Sequence, residues 1–216
     1  MSTEDEKRLA ADTAAELIEP DSRVGLGTGT TVAYVLEAIA RRGVKARYVA
    51  TSPQTANAAR ALGITVEDFG ALDELDLAID GADQIAPDGW LIKGRGGAHL
   101  REKIVAASAR RFVVIADSSK PVATLHAPVP LELRPFGLHA TIREVGLVTL
   151  RAVEPSPDGG LLGDYHGEVG DPYELAERFA STPGVSAHGL FAPDLVSEVI
   201  VATGKTVTRS IPGGQQ

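Results

Sequence analysis

Four short stretches of this sequence bring together residue types that handle anions and protons. Gly25-Leu26-Gly27-Thr28-Gly29-Thr30-Thr31 sets glycines, which let main-chain N–H groups approach a ligand closely, beside hydroxyls where a helix is expected to begin. That combination binds anions; the plainer reading of such glycines is tight-turn packing. Asp80-Gly81-Ala82-Asp83 places two carboxylates just past an apolar strand, at the sheet edge where open α/β folds take ligands. Capping aspartates in an Asx-type turn, proton-handling acids and a magnesium pair are the competing readings, and EF-hand spacing is absent. Lys93-Gly94-Arg95-Gly96-Gly97 is a glycine-rich turn with cations leading into a helix that carries Glu102 and Lys103, a second anion cradle. Alone, Glu102 reads as a solvated carboxylate favoured by the helix dipole. Asp117-Ser118-Ser119-Lys120 follows another strand and adds a cation near the same edge.

Charge supports a small anionic ligand. The chain carries a net charge of −8, which argues against a nucleic-acid binder, since such surfaces must neutralise phosphates. Yet positions 67–88 hold eight acidic residues and no basic one, whereas positions 93–120 hold seven basic residues against two acidic. Arginine is the default cation, fifteen against six lysines, but Lys93, Lys103 and Lys120 all fall in the basic segment. A lysine in such a setting points to a need for a compact charge rather than a fork.

Several chemistries are excluded. With no cysteine, thiol nucleophiles, disulfides, iron–sulfur clusters and Cys-based zinc sites drop out. The five histidines show no metal spacing, and no serine sits on a nucleophile elbow. A dinucleotide site wants an acidic residue after the second strand, where Thr51-Ser52-Pro53 stands instead. The Gly-Lys-Thr at 204–206 has Val199 where a P-loop needs its first glycine. The acidic N-terminus lacks the basic start and apolar run of a signal peptide, and no apolar run approaches membrane length. A soluble, cytoplasmic protein with no membrane or nucleic-acid partner is expected.

The elements that must position these residues alternate. Thr3 with Glu6 forms a capping-box pattern ahead of a helix. Strands are expected at 23–27, 46–50, 75–79 and 111–116, with helices at 32–42, from Ser52-Pro53 to Leu62 and at 98–110, so that Gly63 closes the third helix. This rhythm implies a doubly wound, mostly parallel sheet. After about residue 125 it changes: strands at 129–133, 147–153 and 161–166, and helices at 138–145 and from Asp171-Pro172 to about Phe179, make a small α+β domain over 126–199. The larger domain then comprises 1–125 and 200–216, with a frayed tail from Pro212.

In this order and spacing, the four stretches, with Arg101-Glu102-Lys103, Pro183-Gly184-Val185 and Gly189-Leu190-Phe191, resemble the type A ribose-5-phosphate isomerase family, over about Thr3 to Arg209. The resemblance implies an α/β fold, a Rossmann-like larger domain with a smaller ferredoxin-like one, a homodimer or higher homo-oligomer, and no metal or organic cofactor. It implies interconversion of D-ribose 5-phosphate and D-ribulose 5-phosphate in the pentose phosphate pathway. By position, Glu102 matches the catalytic base, Asp80 and Asp83 the sugar-binding and ring-opening carboxylates, and Lys93 the cation beside the reacting oxygens. Thr28, Gly29, Thr30 and Thr31 match the phosphate loop; Gly81, Ala82, Gly94, Arg95, Gly96, Lys120 and Lys7 match further substrate-binding positions. Two departures stand out: Gln84 where acidic residues are common, and Arg95 within a run that is often glycine. If position 95 needs a positive φ, its arginine is strained.

The residues make chemical sense in those roles. Shuttling a proton between C1 and C2 needs one base over both carbons, with a pKa raised by its site. The enediolate intermediate needs a nearby cation and N–H groups. An aspartate, Asp80 or Asp83, must open the furanose. The rival class is a non-catalytic sugar-phosphate sensor of the same fold, which would need an attached DNA-binding module.

Overall fold

The computed structural model describes residues 2–212. Ser2, not Thr3, caps the first helix, α1 (Thr3–Ala15): its hydroxyl accepts from Asp5 N at 3.2 Å and the Asp5 carboxylate accepts from Ser2 N at 3.0 Å. Two capping frames lie one residue apart in the sequence, and the frame used leaves Glu6 free to turn inward. There it accepts from Ser118 N, Ser118 Oγ and Gly204 N at 3.1, 2.7 and 2.7 Å.

From α1 the chain alternates through β1 (Arg23–Leu26), α2 (Thr30–Arg42), β2 (Arg47–Ala50), α3 (Pro53–Ala61), β3 (Val66–Glu67) and β4 (Leu77–Gly81). Two short strands, β5 (Gln84–Ile85) and β6 (Leu91–Ile92), precede α4 (His99–Ala107) and β7 (Phe112–Asp117). The ends expected from local chemistry are present at α3: Ser52 caps it by accepting from Thr55 N, Pro53 stands at its start, and Gly63 follows with φ 77°. α2 starts two residues earlier than its apolar pattern suggests, and α4 is shorter at both ends, stopping at Ser108. β4 is shifted two residues, so Asp80 lies inside the strand rather than past it, and Leu75 makes only an isolated bridge to Ala109.

The second half runs β8 (Val129–Leu133), α5 (Leu138–Val145), β9 (Val148–Leu150), β10 (Leu161–Tyr165), α6 (Pro172–Ser181) and β11 (Val185–His188). β12 (Leu190–Phe191), β13 (Glu198–Thr203) and β14 (Thr206–Ser210) complete it. The β-α-β-β-α-β run from β8 to β11 forms an antiparallel sheet in the order β11-β8-β10-β9, the ferredoxin-like arrangement. β9 is shorter than expected: Leu147, at φ 49°, turns the chain just ahead of it, and the strand ends at Leu150. The Gly-Lys-Thr at 204–206 is the turn of the β13–β14 hairpin, with Gly204 at φ 56°.

The large sheet has the order β14-β13-β7-β4-β1-β2-β3, parallel except for β14. Alternate residues of each strand face opposite layers. Ile79, Val113 and Ile115 pack with Ala10, Ala14, Leu36 and Ile39 of α1 and α2, while Ala78, Phe112 and Val114 pack with Val105 and Ala106 of α4. Successive strands spread from β1 to β2 and β3 on one side and to β4, β7 and β13 on the other. The topological switch therefore falls between β1 and β4, where the chain leaves both strands at their carboxyl ends. Among the described residues, no helix is long and apolar enough to cross a membrane.

Candidate active site

The loop after β1 delivers the N-terminus of α2, which begins at Gly29 with φ 128° and has no side-chain cap. The uncapped first-turn N–H groups of this helix are an anion site in waiting. Thr28 is turned to a different use: its hydroxyl lies 2.8 Å from the Thr51 hydroxyl, and its N–H donates to Asp80 Oδ1 at 3.1 Å. Thr55 braces the same loop by donating to Gly27 O at 2.9 Å. Gly27 is obligatory, since a Cβ there would lie 1.9 Å from the Asp80 carboxyl.

Asp80 is saturated. Its Oδ1 also accepts from Gly81 N at 2.7 Å, and its Oδ2 accepts from Lys93 Nζ at 2.8 Å. Lys93 reaches it from the turn after β6 and further donates to Gly81 O. The first turn of α4 brings Glu102 to the other side, with Oε2 3.1 Å from Lys93 Nζ. Asp80, Lys93 and Glu102 are each 3% exposed. Although in ion-pair range, Glu102 Oε2 accepts no aligned hydrogen bond.

These contacts set the protonation pattern. Burial pushes the Glu102 carboxyl up to about 7; the Asp80 charge adds to that and Lys93 opposes it. Burial also raises Asp80, against the pull of Lys93 and two main-chain N–H donors. For Lys93 burial acts downward, but the two carboxylates outweigh it and hold the ammonium above the ordinary lysine range. The cluster thus keeps a cation and a carboxyl that titrates near neutrality in contact.

A cavity of about 380 Å³ opens over this cluster. Its walls include Thr28, Gly29, Thr30 and Thr31 of the loop, Gly81, Ala82 and Asp83 after β4, Lys93, Gly94, Arg95 and Gly96 of the glycine turn, and Glu102, Lys120 and Lys7. Every residue matched to a catalytic or substrate-binding position lines it except Asp80, which stands behind the wall. Asp83, by contrast, faces the cavity, with Oδ2 accepting from Arg95 N at 3.1 Å. Lys7 arrives from α1, paired with Glu4 at 2.8 Å.

Both departures are accommodated. The positive φ angles fall on Gly94 (106°) and Gly97 (75°), so Arg95 is unstrained, and its side chain is 81% exposed beside Asp83. Gln84 uses both ends of its amide: Nε2 donates to His126 O at 2.8 Å and Oε1 accepts from His126 N at 2.9 Å. A carboxylate could make only the second of these bonds. Residues that sequence reasoning passed over complete the frame. Glu6 ties α1, and with it Lys7, to the Ser118 turn that leads to Lys120. Arg151 donates to Gly94 O and Arg95 O at 3.2 and 3.0 Å while gripping Asp164 at 2.8 and 2.6 Å. The first lay hidden in a capping pattern, and no local signal marks the second. Among the described residues, no group of three or more His, Asp or Glu side chains is gathered as for a metal ion.

The family model for ribose 5-phosphate isomerase A (phosphoriboisomerase A) matches residues 47–206. The chain belongs to the ribose-5-phosphate isomerase A family. Members similar to it include the ribose-5-phosphate isomerase A of Gluconobacter oxydans, 42% identical over 214 residues that cover 91% of this chain and 92% of the relative. That of Roseiflexus castenholzii is 45% identical, covering 86% of each chain. Among solved members, the Neisseria gonorrhoeae ribose 5-phosphate isomerase A superposes with a TM-score of 0.93 at 31% identity, over 99% of both chains. A D-ribose-5-phosphate isomerase in complex with phospho-erythronic acid gives 0.91 at 33% identity, over 98% of this chain and all of the other.

Proposed function

We infer that this chain is an aldose–ketose isomerase interconverting D-ribose 5-phosphate and D-ribulose 5-phosphate. The observation that carries the reading is a buried carboxyl titrating near 7, 3.1 Å from a permanently charged lysine, in a cavity that also holds an uncapped helix N-terminus. One end suits a phosphate dianion and the other a proton shuttle. The solved relative carrying phospho-erythronic acid, a phosphorylated sugar acid, supports that class of ligand. The sensor alternative is not favoured, since relatives at about 40% identity over nearly their whole length are named as isomerases.

The geometry supports one course for the reaction. Asp83, open to the cavity, takes the anomeric hydroxyl proton of the furanose and delivers it to the ring oxygen as the C1–O4 bond breaks, which yields the aldehyde and returns Asp83 to its carboxylate. Glu102 as carboxylate then removes the C2 proton; the C–H electrons form the C1–C2 double bond and the carbonyl pair moves to O1. Lys93 and the neighbouring N–H groups stabilise the enediolate, whose negative charge develops on oxygen. The O2 proton passes to O1, the carbonyl forms at C2, and Glu102 returns its proton to C1. Atoms and charge balance, with Glu102 regenerated. Asp80 keeps Lys93 and the Thr28 N–H in place. Thr30 and Thr31 with the α2 N-terminus, Lys7 and Lys120 hold the phosphate.

The division into 1–125 with 200–216 and 126–199 goes with this reading, supported by a separate apolar cluster around Val129, Leu131 and Phe179. The exposure of Phe136, Leu147 and Val153 supports a homo-oligomer, a homodimer being the simplest. A cysteine-free chain acting on a sugar phosphate fits the cytoplasm and the pentose phosphate pathway. Purified protein mixed with ribose 5-phosphate should form ketose without added cofactor; failure to form ketose would overturn the assignment.

A further inference from the structure

Lys103 follows Glu102 on α4 but does not line the cavity. Its Nζ donates to the main-chain oxygens of His188 and Leu190, both at 2.9 Å, and lies 3.3 Å from His188 Nδ1. It also stands 4.9 Å from the centroid of the fully buried Phe191 ring. The same stretch holds Lys93. The Lys93 N–H donates to Gly189 O at 2.8 Å, Leu190 and Phe191 pair with Ile92 and Leu91, and Lys93 Nζ is 5.4 Å from the Phe191 centroid. A Cβ on Gly189 would fall 2.2 Å from Lys93 O, so this approach is closed to any side chain. Residues 188–191 therefore carry both the cation of the site and the helix of its carboxyl.

Among the described residues no carboxylate pairs with Lys103, and burial alone lowers its ammonium, to about 7. The nearby imidazoles of His99 and His188, each pushed down to about 3 chiefly by burial, stay neutral beside it. Withdrawing an ammonium from water without an ion pair is unfavourable, and an apolar side chain of similar length would avoid that penalty. A compact head with three donors suits acceptors spread along one short segment, as an arginine fork would not.

We propose that Lys103 is a positioning residue for proton transfer: its amino group, which keeps two N–H donors for the His188 and Leu190 oxygens whether charged or neutral, locks α4 onto residues 188–191 and so fixes Glu102 at its separation from Lys93. This rests on Glu102 being the base. Displacing a reacting group by about 1 Å can lower a rate by ~10²-fold.

The test compares wild type, Lys103→Met and Glu102→Gln in steady-state ketose formation from ribose 5-phosphate across pH. For Lys103→Met, kcat should fall by ~10²-fold while KM stays within about twofold. The acid limb of kcat/KM should move to lower pH. Asp80, Lys93 and Asp83 are the charged groups that act on Glu102, but burial is the main cause of its raised pKa, and a loosened α4 admits water. Because the chain has no cysteine, Lys103→Cys can be alkylated at that one site with an aminoethyl group, which should restore kcat. Unchanged kcat in Lys103→Met, or kcat and KM altered together with a fixed acid limb, overturns the proposal. If Glu102→Gln keeps wild-type kcat, the base assignment falls and this proposal with it; an inactive Glu102→Gln beside a fully active Lys103→Met overturns this proposal alone. Should Lys103→Met not fold, Lys103→Gln, which keeps one donor group, is read by the same criteria.

Discussion

Glu102 Oε2 lies 3.1 Å from Lys93 Nζ without accepting an aligned hydrogen bond from it. A charge contact that leaves the oxygen's lone pairs uncommitted is what a proton shuttle needs, because a saturated carboxylate would have to break a bond before it could act. Asp80, bonded through both oxygens to the same lysine and two main-chain N–H groups, is the contrasting case.

The pH dependence of kcat/KM should follow from this contact. The base works as carboxylate, and burial lifts its pKa to about 7 in the ligand-free site, so kcat/KM should fall tenfold per pH unit below that value and level off above it. Rates measured from pH 5 to 9 check this. A limb near pH 4.5, the ordinary value for a glutamic acid, would mean a solvated carboxyl.

Stability should show the opposite sign to activity. A carboxyl whose folded pKa is raised holds its proton in the folded state longer than in the unfolded state, so its contribution falls as pH rises from about 4.5 to about 7. Glu102→Gln removes that ionisation. Its Tm should exceed that of wild type by a few degrees at pH 8 and match it near pH 4, as calorimetry at the two pH values would show.

Asp80 and Asp83 should separate under amide substitution. Asp80→Asn takes from buried Lys93 its shortest carboxylate contact, and breaking buried pairs destabilises by ~3–5 kcal/mol, less here because Glu102 still neutralises the ammonium. Asp83→Asn should leave the chemical denaturation midpoint nearly unchanged while lowering turnover of the cyclic sugar. Denaturation curves and kcat, measured on both variants, distinguish them; equal destabilisation would place both aspartates in the framework.

Thr31→Val keeps the shape of the α2 start and removes one hydroxyl. A hydrogen bond to a charged group is worth roughly 1.5–3 kcal/mol, so kcat/KM for ribose 5-phosphate should drop ~10-fold or more. The slow reaction of unphosphorylated ribose should hardly change. An equal drop for both substrates would move Thr31 away from the phosphate.

Much of this site was legible because its parts are local. Ser52-Pro53 and Gly63 mark the ends of α3 through backbone requirements confined to a turn, and the glycine loops mark ligand approach in the same way. Contacts made across the chain left no such trace. Glu6 reads as the second half of a capping box, yet its partners lie 112 and 198 residues away at Ser118 and Gly204. Arg151 braces the glycine turn from just past β9, and Asp80 reads as a free sheet-edge acid although the register of β4 against β1 turns it inward. Two-residue strands such as β3 and β5 are too short for any period to appear.

The most direct test is Glu102→Gln, with ketose formation from ribose 5-phosphate and substrate binding measured on the same preparation. Loss of a general base typically lowers rates by ~10²–10⁴-fold, and the amide keeps the shape of the site, so kcat should fall by that factor with little change in binding. A variant that retains near-wild-type kcat would contradict the account.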